Sequence, residues 1–211
     1  MSLEIDHVFC FCDPILSEVQ TLESYGFVLG QGYKHQGQGT ANRCLLFESN
    51  YLELIYLDSK DEALTNPLEL HLRANWKTTG ACPFGIALRG EIPTQNLSDF
   101  WDYSPPYNPT RIIKMHRFSK EHPEFPLLFV MPSSGASPLS KVRLKNFLPH
   151  QSESTTISRI KMDIPFSSWP LNTEIQGLSF EKSLTYKMEV QINGNPPSSI
   201  KLNDLLSLVI K

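Results

Sequence analysis

Two residues in the first quarter of this chain have the chemistry of a reacting site. One is His7, in the run Ile5-Asp6-His7-Val8-Phe9-Cys10-Phe11; the other is Glu53, in Tyr51-Leu52-Glu53-Leu54-Ile55-Tyr56-Leu57. An imidazole and a carboxylate brought together can exchange a proton with a bound molecule, or each can give a lone pair to a divalent ion. Both sit near the start of an apolar run of strand length. Side chains alternate along a strand, so His7 is placed on one face with Ile5, Phe9 and Phe11, and Val8, Cys10 and Cys12 on the other. Glu53 shares its face with Tyr51, Ile55 and Leu57. A carboxylate among such neighbours needs a partner, because an unpaired buried charge is costly.

The elements that must position this pair are legible around it. A strand over 4–12 leads to Asp13-Pro14, read as N-cap and first helical residue. The helix that follows carries Ile15, Leu16, Val19 and Leu22 on one stripe and ends at Gly26. A strand over 27–33, a Gly-rich polar stretch over 35–40, and strands over 42–48 and 51–58 joined by Ser49-Asn50 complete a βαβββ unit. Residues 62–78, anchored by Leu64, Leu68, Leu70, Leu72 and Trp76, read as a connecting helix. The second half opens on a strand over 83–89, with a short helix over 94–102 and strands over 110–117 and 126–131. Residues 132–156, rich in Ser and Pro, read as a long loop covering or flanking the cavity. Residues 157–164 alternate as a half-buried strand, and strands over 184–192 and 205–210 close the chain. The expected organisation is α+β: a first module at 1–60, a connecting helix at 61–81, and a second, irregular module at 82–211 packed on the first as one domain.

The segments IDHVFCFCDP at 5–14, GQGTANRCLLF at 37–47 and YLELIYL at 51–57 carry a family resemblance. In this order and spacing the chain resembles the glyoxalase, bleomycin-resistance and extradiol-dioxygenase superfamily, the vicinal oxygen chelate fold, and within it the glyoxalase-like domain proteins. The resemblance implies tandem βαβββ modules forming a half-open mixed barrel around a cavity. Metal-dependent members place one ligand on the first and one on the last strand of each module. Carried over, those positions are His7 and Glu53 in the first module, with zinc, nickel, iron or manganese as the implied ion. The second module departs from the pattern. Laying 83–86 on 5–8 puts Gly85 at the histidine position, and laying 157–160 there puts Arg159 at it. Laying 204–208 on 50–54 puts Ser207 at the carboxylate position. His35, His116 and His150 are the histidines available to complete a set.

Two functional classes follow. One is a metal-dependent lyase, isomerase or dioxygenase in which His7 and Glu53 hold the ion and Glu53 acts as base. The other is a protein binding a small molecule in a cavity lined by Phe9, Phe11, Tyr51 and Ile55, without a complete metal site. Arg89 and Arg159 are candidates to orient an anionic ligand, to pair with Glu53, or to sit on a solvated strand edge. Asn42 either reaches the pocket or caps a turn. An interaction module is a third class. The remaining signals exclude more than they assign. At 211 residues, 40% hydrophobic and 19% charged, the chain is globular, and a net charge of -3 gives no footprint for nucleic acid. No apolar run approaches the roughly 20 residues that span a bilayer, and the start lacks a secretory pattern, so a cytoplasmic location is expected. Cys10, Cys12, Cys44 and Cys82 lie in or beside apolar strands and read as small buried residues. A small molecule is the expected partner, and assembly as a homodimer stays open.

Overall fold

The computed structural model describes residues 3–13, 15–131, 156–166, 169–171 and 173–211. The βαβββ unit forms as β1 (Glu4–Phe11), α1 (Leu16–Ser24), β2 (Tyr33–His35), β3 (Thr40–Leu46) and β4 (Tyr51–Leu57). The helix begins at Leu16 with Ile15 as N-cap and no side-chain cap bond, so Asp13 does not serve as its cap. Of the strand expected over 27–33, a single bridge at Leu29 to Leu45 and the short β2 remain. The connecting helix expected over 62–78 is three pieces: α2 (Lys60–Thr65), α3 (Leu70–Ala74) and α4 (Trp76–Thr79). Pro67 removes a backbone donor at the first break, and Glu69 turns the chain there at φ 52.

The next elements are β5 (Phe84–Arg89), a 3₁₀ turn (Thr94–Asp99), β6 (Phe100–Tyr103), β7 (Ile113–His116), α5 (Phe118–Glu121) and β8 (Leu127–Met131). All eight strands join one sheet in the order β2-β3-β4-β1-β5-β8-β7-β6. β1 runs parallel to β4, β5 runs parallel to β8, and β1 and β5 meet antiparallel at the centre. The second half of the half-open barrel is therefore built from 84–131, and the module expected over 82–211 divides between two sheets. The long loop expected over 132–156 lies, up to residue 155, outside the described residues.

The second sheet takes β9 (Thr156–Ile164), β10 (Leu178–Lys182), β11 (Lys187–Asn193), β12 (Ser198–Lys201) and β13 (Leu206–Ile210), ordered β10-β9-β11-β13-β12. Its pairing senses repeat those of β4-β1-β5-β8-β7. The repeat extends to an irregularity. Register skips Asp6 between Ile5 and His7 in β1, and skips Ser158 between Ile157 and Arg159 in β9. Asn50 ties the sheets: its Nδ2 donates to the Ile157 carbonyl at 2.9 Å and its Oδ1 accepts from the Ile157 N–H at 2.9 Å.

The first sheet has two faces with different tasks. Val8, Cys10, Leu52, Leu54, Phe84, Ile86, Leu88, Leu128 and Val130 face the main core, which Ile160, Met162, Val190 and Leu208 of the second sheet complete. Phe9, Phe11, Ile55, Ala87, Leu127, Phe129 and Met131 face the other way and form the concave wall. Ile5 packs with the main core rather than on the His7 face. The bulge at Asp6 inverts the parity one residue before His7, which corrects the face expected for Ile5.

Candidate functional site

The concave wall encloses a cavity of about 470 Å³, within the range of small-molecule sites. Its floor comes from the two strands singled out at the start. Alternation in β4 points Tyr51, Glu53 and Ile55 inward while Leu52 and Leu54 go to the core. The same alternation in β3 delivers Asn42, Cys44 and Leu46 to the cavity.

His7 and Glu53 line it together, both buried, with His7 Nε2 3.7 Å from Glu53 Oε2. Behind His7, Nδ1 lies 2.7 Å from Asp6 Oδ1. A carboxylate on Nδ1 fixes the proton there and leaves Nε2 as the atom facing the cavity. The bulge leaves Asp6 out of the strand pairing, next to this contact. The His7 ring is held flat by Tyr51, stacked at 4.2 Å, and edge-on by Phe129 at 5.6 Å.

Glu53 Oε1 accepts from Asn42 Nδ2 at 2.6 Å. Asn42 Oδ1 accepts from the Tyr33 N–H, which fixes the amide orientation and makes Nδ2 the donor towards His35 Nε2 at 3.4 Å. His35 is thereby assigned as neutral, with Nδ1 donating to Thr40 Oγ1 at 2.9 Å. Burial pushes its pKa down, Glu53 pulls against that shift, and His7 adds to it. Burial, reinforced by Glu53, holds the Tyr51 and Tyr107 hydroxyls protonated well above their usual range. Gln38 and Tyr103 close one side, with Tyr103 Oη donating to Gln38 Oε1 at 3.1 Å. Tyr107 stacks on His35 at 4.9 Å, and Arg111 stands beside it on the wall.

The other expected site residues lie elsewhere. Phe11 is buried next to Phe9, with ring centroids 5.9 Å apart, but sits beneath the cavity rather than lining it. Arg89 is not in the cavity and does not meet Glu53; it bonds Glu4 at 2.7 Å and the Ser49 carbonyl, and lies 3.7 Å from Asp6. It reaches the site only through Asp6. Arg159 is exposed on the solvated face of the second sheet, remote from Glu53 because its sheet packs on the opposite side of β1. Ser207 is likewise in the second sheet. His116 faces a separate pocket of about 180 Å³ behind Leu68, Met115 and Leu127, its Nδ1 accepting from the Phe118 N–H at 3.2 Å. His150 is outside the described residues.

The strand pairing identifies what stands where a second ligand pair would. The two halves are related by a local two-fold through the Val8–Ile86 pair, which carries His7 onto Gly85 and Phe9 onto Ala87. Glu53 lies opposite Phe9 and Phe129 lies opposite Ala87, so Glu53 is carried onto Phe129. Neither Gly85 nor Phe129 can ligate a metal. A Cβ at Gly85 would fall 2.0 Å from Phe9 Cε1, so the Phe9 ring occupies the space a second-half ligand needs. His7 and Glu53 are spaced so that one ion with bonds of about 2.0–2.2 Å could touch both. They remain two donors, however, where catalytic zinc ordinarily keeps three, because His35 Nε2, 4.0 Å from Glu53 Oε1, is already taken by Asn42 Nδ2. Among the described residues no group of three or more His, Cys, Asp or Glu is arranged to hold a metal. The described residues do not make a complete metal centre. The sequence reading passed over Gln38, Tyr103, Tyr107, Arg111 and Phe129. Phe129 sits in a strand that is apolar throughout, Tyr103 ends the four-residue β6, and Gln38, Tyr107 and Arg111 lie between strands without a periodic signal.

A family model described as glyoxalase-like domain matches residues 5–157. No curated protein matches. Among solved structures, one titled as a hypothetical protein from Staphylococcus aureus superposes with a TM-score of 0.54 at 14% identity, covering 100% of this chain and 99% of that one. A hypothetical protein from Bacillus halodurans gives a TM-score of 0.43 at 11% identity, covering 64% of this chain and 98% of that one. A methylmalonyl-CoA epimerase from Mycobacterium tuberculosis gives 0.40 at 11%, covering 61% and 86%. Among the described residues no helix is long and apolar enough to cross a membrane.

Proposed function

The chain belongs to the glyoxalase-like domain family, and from that premise we propose that it binds a small organic molecule in the concave cavity and exchanges a proton with it at His7 and Glu53. The observation that carries this reading is the facing pair itself: His7 Nε2 and Glu53 Oε2, 3.7 Å apart at the cavity floor, with Asp6 fixing the His7 proton on Nδ1. Glu53 Oε1 is taken by Asn42, so Oε2 is the oxygen left for a ligand. A ligand hydroxyl or acidic C–H lodged between Oε2 and Nε2 meets two acceptors, and the one that takes its proton is the one that can hand it back to the ligand. Phe9, Tyr51 and Phe129 supply apolar walls around that point.

One observation favours a second reading, a lyase, isomerase or dioxygenase using a divalent ion on His7 and Glu53. Ligating histidines commonly carry a carboxylate on the other ring nitrogen, as Asp6 does here. The donor count weighs against it. Amide-resolved NMR titration with a library of small polar aromatics and short acids tests the first reading. Shifts should cluster on β1, β3, β4 and β8 and vanish in Ile55→Trp, which fills the cavity. Hits that map only to other surfaces would contradict it.

A further inference from the structure

Within the binding reading just given, on which this step rests, we infer that the ligand is a monocarboxylate, its carboxylate on Arg111 and a hydrogen-bond donor at its far end on Glu53. Of the residues lining the cavity, Glu53 and Arg111 are the ones that carry a full charge outside the histidines. They are treated differently by their surroundings. Glu53 has Asn42 at 2.6 Å and His7 at 3.7 Å. Among the described residues Arg111 makes no ion pair, and its guanidinium donates no hydrogen bond; its backbone N–H alone is used, on the Asn108 carbonyl at 3.0 Å.

Nor is Arg111 a loose surface side chain. It is half-buried, and the segment that carries it is held at two points. Tyr107 stacks on His35, and Pro106 packs so closely on Gly37 that a Cβ there would fall 2.6 Å from it. A guanidinium kept at a cavity wall with its fork unfilled matches a planar carboxylate in two parallel hydrogen bonds. The charge of the ligand follows from the balance. One guanidinium offsets one negative charge, and a dianion such as a phosphate monoester would place its second charge in a cavity that already holds Glu53. Glu53 offers only an acceptor, so the group that meets it must donate, as a hydroxyl does. Between them Phe9, Tyr51 and Phe129 call for an apolar or aromatic body.

The test is an NMR titration of the full chain with hydroxyphenylpropionate and, in parallel, its neutral amide. We expect the acid to shift the cavity amides and the Arg111 side-chain Nε–H, and to bind at least roughly ten-fold tighter than the amide. Arg111→Gln should erase that preference, weakening the acid far more than the amide, while Arg111→Lys should keep part of it, which also controls for folding. Equal binding of acid and amide at the cavity overturns the carboxylate inference and leaves the cavity reading intact. A preference that survives Arg111→Gln, or acid shifts confined to other surfaces, overturns it as well. If neither compound perturbs a cavity amide, the cavity reading fails together with the inference.

Discussion

The absence of a second ligand pair rests on a steric fact that can be measured. A Cβ on Gly85 would lie 2.0, 2.3 and 2.5 Å from Cε1, Cζ and Cδ1 of Phe9, where ordinary carbon contacts are about 3.5–4.0 Å. Gly85→Ala therefore forces the Phe9 ring to retreat by about 1.5 Å. The ring is 4% exposed and wedged against Phe11, so it must strain the wall or swing into the cavity. Overpacking of this kind costs about 1–3 kcal/mol. Alanine recovers roughly 0.4–1 kcal/mol by stiffening the unfolded chain. The net loss should be about 1–2 kcal/mol. Phe9→Ala alone should cost about 3–5 kcal/mol, but in that background the extra methyl meets open space and Gly85→Ala should become neutral or slightly stabilising. Urea unfolding of the four proteins gives the coupling, expected at about 1–3 kcal/mol. A Gly85→Ala loss below about 0.5 kcal/mol in the parent, or the same loss with and without the Phe9 ring, would refute the claim that Phe9 keeps position 85 bare.

Further outcomes are expected from the same contacts. Asn50→Ala removes both bonds to Ile157 and leaves its buried peptide unpaired; a loss of about 2–3 kcal/mol and faster hydrogen exchange at the Ile157 amide should follow. Arg73 is buried and donates to the carbonyls of Cys82, Pro123, Phe125 and Ser119; Arg73→Met leaves these carbonyls unpaired and should cost at least about 3 kcal/mol in urea unfolding. Burial pushes the Cys82 thiol up to about 12 and raises Cys10 well above its usual value, so a thiol reagent at mildly alkaline pH should leave both unmodified until the protein unfolds. Burial lowers the His35 and His116 pKa values below 6.5. The unfolded chain therefore binds more protons below that value, and this contribution to stability is complete above it and declines as pH falls towards the lower folded values. Melting temperature should drop on acidification through that window, and the slope should shrink in His35→Gln.

The sequence carried the first half of the site because the alternation there is clean. From His7 onward β1 sends every second residue to the same face, and Glu53 follows the same rule in β4. The alternation failed two residues upstream, at Ile5, because nothing in Ile5-Asp6-His7 announces a bulge at Asp6. Leu127-Leu128-Phe129-Val130-Met131 is apolar throughout, since both its faces are buried, so its inward residues cannot be read from pattern. The arginines were misplaced for a different reason. Charge complementarity to Glu53 suggested Arg89 and Arg159, but partners are chosen by which sheet, and which face of it, a strand joins. Arg111 and Tyr107 lie in a loop without period, and their position depends on Pro106 meeting Gly37, a contact between segments about 70 residues apart.

The central proposal is that this glyoxalase-like cavity acts through the His7–Glu53 pair, without a second-half ligand pair to complete a metal centre. Elemental analysis of protein expressed in metal-supplemented medium and purified without chelator tests it most directly. We expect well under one equivalent of zinc, nickel, iron or manganese per chain, unchanged by His7→Ala. About one equivalent, lost in His7→Ala and in Glu53→Gln, would contradict the claim and return the site to metal-dependent chemistry.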